Sequence, residues 1–113
     1  MIDNNTNNNI KLKLLNSSSI DTEVGLKHFN NNSSLYIKIL TRFVERNETL
    51  NLNLLNEEEL KNTLHTLKGL TGTLGMAPLT HTIQQIEKKS DKILINEFTQ
   101  EMSEIIRNIK NII

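Results

Sequence analysis

The sequence predicts an all-α protein: an antiparallel four-helix bundle with a short extra N-terminal helix. Three observations lead to this prediction. The 113 residues include only one proline and four glycines, so strong turn signals are rare. Apolar residues recur every three or four positions in several segments, which is the spacing of one helix face. Capping residues stand directly before these segments, where helices are expected to begin.

The N-terminal segment differs in composition from the rest of the chain. Residues 1–19 read "MIDNNTNNNIKLKLLNSSS" and are rich in asparagine and serine around a short apolar patch. Polar tracts of this kind bury too little apolar surface to fold by themselves. We therefore expect a flexible leader or linker over residues 1–19, and a bundle over residues 20–113.

Two helices are expected in the first half of the bundle. Asp21 or Thr22 can cap the short helix "EVGLKHF", and "NNNSS" then ends it. Ser33 or Ser34 can cap a longer helix, "LYIKILTRFVERNETL", whose apolar stripe consists of Leu35, Ile39, Phe43 and Leu50. The following "NLNLLN" has no partner strand, so we interpret it as a fraying helix end and a loop.

Three further helix boundaries are marked in the second half. Asn56 precedes "EEE", which combines a capping side chain with acidic residues facing the helix dipole. Gly75 can end that helix, and Pro78 suits the first turn of the next one. Ser90 or Asp91 can cap the last helix, whose apolar stripe is Leu94, Phe98, Met102, Ile105, Ile109 and Ile112.

Composition excludes several classes of function. The formal net charge is zero, from 13 basic and 13 acidic residues, so a general electrostatic affinity for nucleic acid or anionic lipid is not expected. Cysteine is absent, which excludes disulfides and thiolate zinc sites. No apolar run reaches the length of roughly 20 residues that spans a bilayer. We expect a cytoplasmic monomer that binds no metal and does not insert into membranes.

The stretch "LHTLKGLTGTLG", residues 64–75, contains the candidate reactive group. A helix advances about 100° per residue, which assigns each side chain to a face. The leucines that form the expected core face lie opposite His65; they are Leu60, Leu67, Leu70 and Leu74. His65 is therefore predicted to point into solvent from the middle of its helix.

The neighbours of His65 on that outer face are unusual. Gly69 and Gly72 stand within about 40° of it, as do Lys61 and Met76, although each glycine inside a helix costs roughly 1 kcal/mol relative to alanine. Bare backbone there would let a bulky partner approach the imidazole closely. Lys61 and Lys68 put positive charge where an anion on the ring would sit. A neutral imidazole nitrogen is a suitable nucleophile for phosphoryl transfer, which needs mainly positioning and charge stabilisation.

These residues resemble the signature of a known family. "HTLKGLTGTLG" resembles the H-x-L-K-G motif of the histidine-containing phosphotransfer (HPt) domains of two-component phosphorelays, which also have small residues and a further glycine downstream. "IDTEVGLKHFNNNSSLYIKILTRFVER" resembles the upstream segment of the same family. The resemblance runs from about Ile20 to the C-terminus and is patchy only between Leu50 and Asn56. The link between Phe43 and His65 is shorter than expected for the family.

The resemblance implies specific roles. His65 would accept a phosphoryl group from a receiver-domain phospho-aspartate and pass it to another receiver aspartate. Lys68 would neutralise the phosphoryl oxygens, a task that Lys61 could share, and Gly69 would give the receiver access to the ring. Glu87 would orient the imidazole, with Gln84 and Gln85 as alternatives. Residues that would contact the receiver are Lys61, Leu64, Gly72 and Met76, with core packing as the alternative for Leu64.

The resemblance also implies the partners. They would be response-regulator receiver domains and a hybrid sensor histidine kinase. Magnesium would be held by the receiver, so this chain would bind no cofactor of its own. With no ATP-binding domain in the sequence, we expect a phosphocarrier module without autonomous kinase activity.

Two alternatives remain open at this stage. The chain could be the phosphorylated domain of a chemotaxis-type histidine kinase, with ATP as the donor. It could also be a helical adaptor that has kept the bundle without the chemistry.

Overall fold

The computed structural model describes residues 4–113 as a set of helices, with no strand among them. A single 3-10 turn, Leu52–Leu54, lies in the segment expected to be a loop. The α-helices, in chain order, are α1 (Asn4–Leu15), α2 (Thr22–His28), α3 (Ser33–Asn47), α4 (Glu57–Leu74), α5 (Ala77–Lys88) and α6 (Lys92–Lys110). The predicted all-α class is confirmed. In this part of the chain no helix has both the length and the apolar character to cross a membrane.

Helix α4 begins at the predicted cap. The Asn56 side chain accepts a hydrogen bond from the Glu59 N–H at 2.8 Å, and the Glu59 carboxylate accepts one from the Asn56 N–H at 3.0 Å. This reciprocal capping box satisfies two backbone donors that a helix start would otherwise leave unpaired. The first turn is therefore well anchored.

The capping residues predicted for α2 and α6 are confirmed, and those predicted for α3 are not. Asp21 caps α2 and Asp91 caps α6, the latter through a 2.8 Å bond from the Leu94 N–H. The expectation that Ser33 or Ser34 caps α3 is wrong, because Asn32 accepts from the Leu35 N–H at 3.0 Å. An asparagine carbonyl is about as good a cap as a serine hydroxyl, and α3 begins at Ser33, two residues before the expected start at Leu35.

Most of the core lies among α3, α4, α5 and α6, and α1 adds Leu12 and Leu15 to it. Helix α5 packs against both α4 and α6, and α6 packs against α3. On α6 the predicted stripe is largely correct, since Phe98, Met102, Ile105 and Ile109 are buried. On α3 the buried face is rotated from the prediction: Leu35 is exposed, whereas Tyr36, Leu40, Phe43 and Val44 are buried.

The structure differs from the expected flexible leader over residues 4–15, whereas residues 1–3 lie outside the described part of the chain. Residues 4–15 form helix α1, which packs along α3. Leu12 and Leu15, three positions apart, are buried on one face of α1, and Ile20 is buried just after it. These three side chains are part of the hydrophobic core. Packing against the rest of the bundle thus stabilises a helix in this segment despite its polar composition.

The connection between α4 and α5 is a tight turn at Gly75. Gly75 adopts the left-handed conformation (φ 87°) and ends α4 as predicted, and Pro78 lies in the first turn of α5. The Gly75 carbonyl accepts a 2.8 Å hydrogen bond from the Asp21 N–H, which attaches the start of α2 to the turn. The turn therefore sets how α5 lies against α4.

Tyr36 on α3 supports the same end of the bundle. Its buried hydroxyl donates a 2.7 Å hydrogen bond to the Leu74 carbonyl at the end of α4. Burial, and secondarily the Asp21 carboxylate, raise the pKa of Tyr36, so the hydroxyl keeps its proton. This bond satisfies one of the carbonyls that a helix end leaves unpaired.

Candidate functional site

His65 stands on the outer face of α4, near the middle of that helix. It is exposed, whereas Leu64, Leu67 and Leu74 of the same helix are 2%, 4% and 0% exposed. The predicted outward orientation is confirmed. Within residues 4–113, no hydrogen bond or ion pair holds the imidazole, so neither ring nitrogen has a partner in this part of the chain.

The two glycines beside His65 are not required by the packing of the bundle. A Cβ added at Gly69 or at Gly72 would meet no atom of the described residues within 4 Å, outside its own helix backbone. By contrast, a Cβ at Gly25 would collide with the Tyr36 ring, and one at Gly75 with the Asp21 carbonyl. Gly25 and Gly75 thus serve the fold, and Gly69 and Gly72 leave open space around the histidine.

Lys68 lies one turn after His65 and pairs with α5. Its Nζ is 2.9 Å from Oε1 of Glu87, and the two side chains are 35% and 26% exposed. Residues three apart on a helix are neighbours on its surface. The lysine therefore sits within reach of the imidazole while it bridges α4 and α5.

Glu87, the residue expected to orient the imidazole, makes an ion pair instead. It is paired with Lys68, and among residues 4–113 no hydrogen bond joins it to His65. Gln84 is exposed and Gln85 is half-buried, with no hydrogen bond to His65 either in this part of the chain. The long Lys68 side chain places its ammonium against the Glu87 carboxylate because opposite charges attract.

Two of the residues expected to contact a receiver are in the core. Leu64 is 2% exposed, so the alternative of core packing is the correct one for it. Met76 is 0% exposed, and the expectation of an outer position is wrong. The expectation treats Met76 as part of the same helix as His65, but α4 ends at Leu74. The left-handed Gly75 changes the direction of the chain, and Met76 points inward.

Two shallow grooves flank the histidine face. One, of about 330 Å³, lies between the first half of α4 and the end of α5, and its lining includes the exposed Lys61 and Glu87. The other, of about 250 Å³, lies beside Gly72 and is lined in part by Val24 of α2 and Gln84 of α5. The sequence around His65 does not predict that α2 lines this groove, because the lining depends on how α2 packs against α4.

The remaining histidines are elsewhere. Nδ1 of His28 is 2.8 Å from the Thr73 carbonyl and ties α2 to α4. His81 is exposed on α5. Across residues 4–113, no three His, Asp or Glu side chains are grouped as a metal site requires.

Residues 38–111 match the Hpt domain family. This range covers most of the chain and includes the exposed histidine, its lysine and both open glycines. The chain belongs to the Hpt family. Hpt domains carry out histidine phosphotransfer in phosphorelays and interact with receiver domains. The match begins within α3, so α1 and α2 lie before it. No curated protein and no solved structure matches the chain.

Proposed function

We propose that this Hpt domain is a phosphorelay intermediate in which His65 receives a phosphoryl group from a receiver aspartate and passes it to another receiver. The observation that carries this proposal is the exposed imidazole beside two glycines whose missing side chains leave open space. A receiver must bring its acyl phosphate within bonding distance of the ring, and side chains at those positions would stand in its way.

The transfer needs little chemistry from the protein. The lone pair of one neutral ring nitrogen attacks phosphorus and forms the N–P bond. The O–P bond to the aspartyl carboxylate breaks, and its electron pair leaves on the carboxylate oxygen. The proton on the other ring nitrogen stays in place. The reverse displacement by a second aspartate returns the free imidazole, so the chain is a carrier and has no turnover of its own.

Charge stabilisation would come from both partners. Lys68 would stabilise the phosphoryl oxygens from this side, and Lys61, exposed on the same face, could contribute. The receiver would bring magnesium in its own acidic pocket, so the Hpt domain would supply no metal ligand. The receivers we propose as partners include those of hybrid sensor histidine kinases, and the domain would act as a monomer.

The proposal is tested by direct transfer. A receiver domain carrying a radiolabelled phosphoryl group on its aspartate is mixed with the Hpt domain in the presence of magnesium. Label is expected on the Hpt domain, stable in alkali and labile in acid, as a phosphoramidate is. A histidine kinase domain with ATP is tried in parallel, because label from that donor alone would indicate the kinase-substrate role. No label from a panel of receivers and kinases would leave the adaptor role.

Replacing Lys68 should slow transfer without unfolding the domain. We expect Lys68→Ala to lower the rate of transfer to His65 about tenfold, as the loss of one hydrogen bond to a charged group would. The free energy of unfolding should change by no more than about 1 kcal/mol, because the pair with Glu87 is partly exposed. Lys110→Ala, which removes the lysine paired with Glu48, is the matched control. Equal transfer rates in wild type and Lys68→Ala would remove Lys68 from the mechanism.

A large side chain at Gly69 should obstruct the receiver. We expect Gly69→Leu to weaken receiver binding at least about tenfold, since a leucine would occupy the approach to the ring. Helicity should be retained, because leucine is a better helix former than glycine by up to about 1 kcal/mol. Calorimetric titration with the receiver measures the affinity. Asn96→Leu, at an exposed position of α6, controls for added apolar surface. Unchanged affinity in Gly69→Leu would contradict the access argument.

A further inference from the structure

The lysine next to the histidine is already engaged. Under the proposed function the Lys68 ammonium would stabilise a phosphoryl group on His65, yet that ammonium lies 2.9 Å from the Glu87 carboxylate. Ion pairs in residues 4–113 are few: this one, and Lys110 with Glu48. Lys68 is thus one of two lysines in these residues that have a carboxylate partner.

Lys68 would have two anions competing for its ammonium once His65 is phosphorylated, and the backbone of one of them is fixed. Glu87 is carried by α5, next to Ile86, which is 2% exposed, and one turn after Ile83, which is 0% exposed. The backbone that bears the carboxylate is therefore held by the core. Lys68 is on α4, one turn from His65, with a long flexible side chain. We expect an ammonium that is attracted by an anion on the imidazole to loosen its contact with Glu87.

We infer that Glu87 is a competing ion-pair partner that holds Lys68 while His65 is unphosphorylated and disfavours the phosphorylated form. This inference rests on the proposed function. When His65 carries the phosphoryl group, Lys68 turns to its oxygens and Glu87 loses its counter-ion. The carboxylate then stands unpaired near a second anion, and both effects favour passing the phosphoryl group on. Glu87 is a positioning residue that acts through Lys68.

The inference predicts a gain in phosphohistidine when the carboxylate is neutralised. In Glu87→Gln the side chain keeps its size but loses its charge, so Lys68 is released. We expect the equilibrium ratio of phosphorylated Hpt domain to phosphorylated receiver to rise about two- to fivefold, the range that a partly exposed ion pair provides. Glu87→Asp keeps the charge and is expected to return the ratio toward that of wild type. A group that orients the imidazole would give the opposite result, because its loss lowers phosphorylation.

The experiment measures this ratio after transfer from a labelled receiver has reached equilibrium. Glu48→Gln is the matched control, since it breaks the other lysine–glutamate pair, which joins the C-cap of α3 to the end of α6, away from the site. Circular dichroism and thermal unfolding confirm that each variant is folded. The ratio is also measured in the Lys68→Ala background, where the effect of Glu87→Gln is expected to shrink because the competition is gone.

The outcomes separate the inference from the proposed function. A ratio in Glu87→Gln equal to or below that of wild type would overturn the inference. So would an equal effect of Glu87→Gln with and without Lys68, which would mean direct repulsion alone. In each of these cases the wild type is still labelled. Failure of the wild type itself to accept label would instead reject the proposed function.

Discussion

The substitution His65→Gln is expected to abolish phosphoryl transfer to this domain. Glutamine has no nucleophilic nitrogen at neutral pH, so no N–P bond can form at position 65. The fold should survive, because His65 is exposed and its ring has no hydrogen-bond partner in residues 4–113. We expect the free energy of unfolding to change by less than about 0.5 kcal/mol. Labelling by a phosphorylated receiver and urea unfolding measure the two quantities.

The control for this experiment is another histidine of the same chain. His28→Gln removes an imidazole from α2, outside the range that matches the family, and an amide can still donate to the Thr73 carbonyl. This variant is expected to take up label as the wild type does. Label on His65→Gln at the wild-type level would mean that another residue is the acceptor, and the proposed function would fail.

The second large effect is expected at Gly25, where the fold leaves no room for a side chain. In Gly25→Ala the new methyl group would collide with the ring of Tyr36, which is fully buried and stacked on Phe29 with ring centroids 5.7 Å apart. Overpacking of this kind costs about 1–3 kcal/mol. We expect the midpoint of thermal unfolding to fall by roughly 4–8 °C for each kcal/mol lost.

Gly69→Ala is the matched control for Gly25→Ala. Both glycines are helical, but a Cβ at Gly69 would meet nothing within 4 Å among the described residues. Alanine there should stabilise the domain by about 1 kcal/mol, the usual difference in helix propensity. The same change is thus expected to act in opposite directions at the two sites. Equal stability of Gly25→Ala and wild type would contradict the close packing of α2 on Tyr36.

Local chemistry made much of the architecture predictable. Asn56, Asp91 and Gly75 mark helix ends through hydrogen bonds or backbone conformations that involve only neighbouring residues. The direction of His65 also follows from local information, because the leucines opposite it identify the core face within a single helix. For these features the sequence needs no knowledge of the rest of the fold.

Predictions that depended on distant contacts were less successful. Residues 4–15 are polar enough to suggest a leader, yet Leu12 and Leu15 find a complementary surface on α3. The buried face of α3 includes Tyr36 because α3 packs against α1 as well as α6. The Tyr36 hydroxyl also donates a hydrogen bond to the end of α4. Neither surface exists until the helices have assembled.

The sequence by itself determined the helical class, the main helix boundaries and the outward direction of His65, because caps and the 3.6-residue period act over a few positions. Only the tertiary structure decided that Met76 is buried, that α1 belongs to the core and that Lys68 is paired with Glu87. These three outcomes depend on where one helix lies against another. That placement comes from packing and charge between residues far apart in the chain, which helical periodicity does not encode.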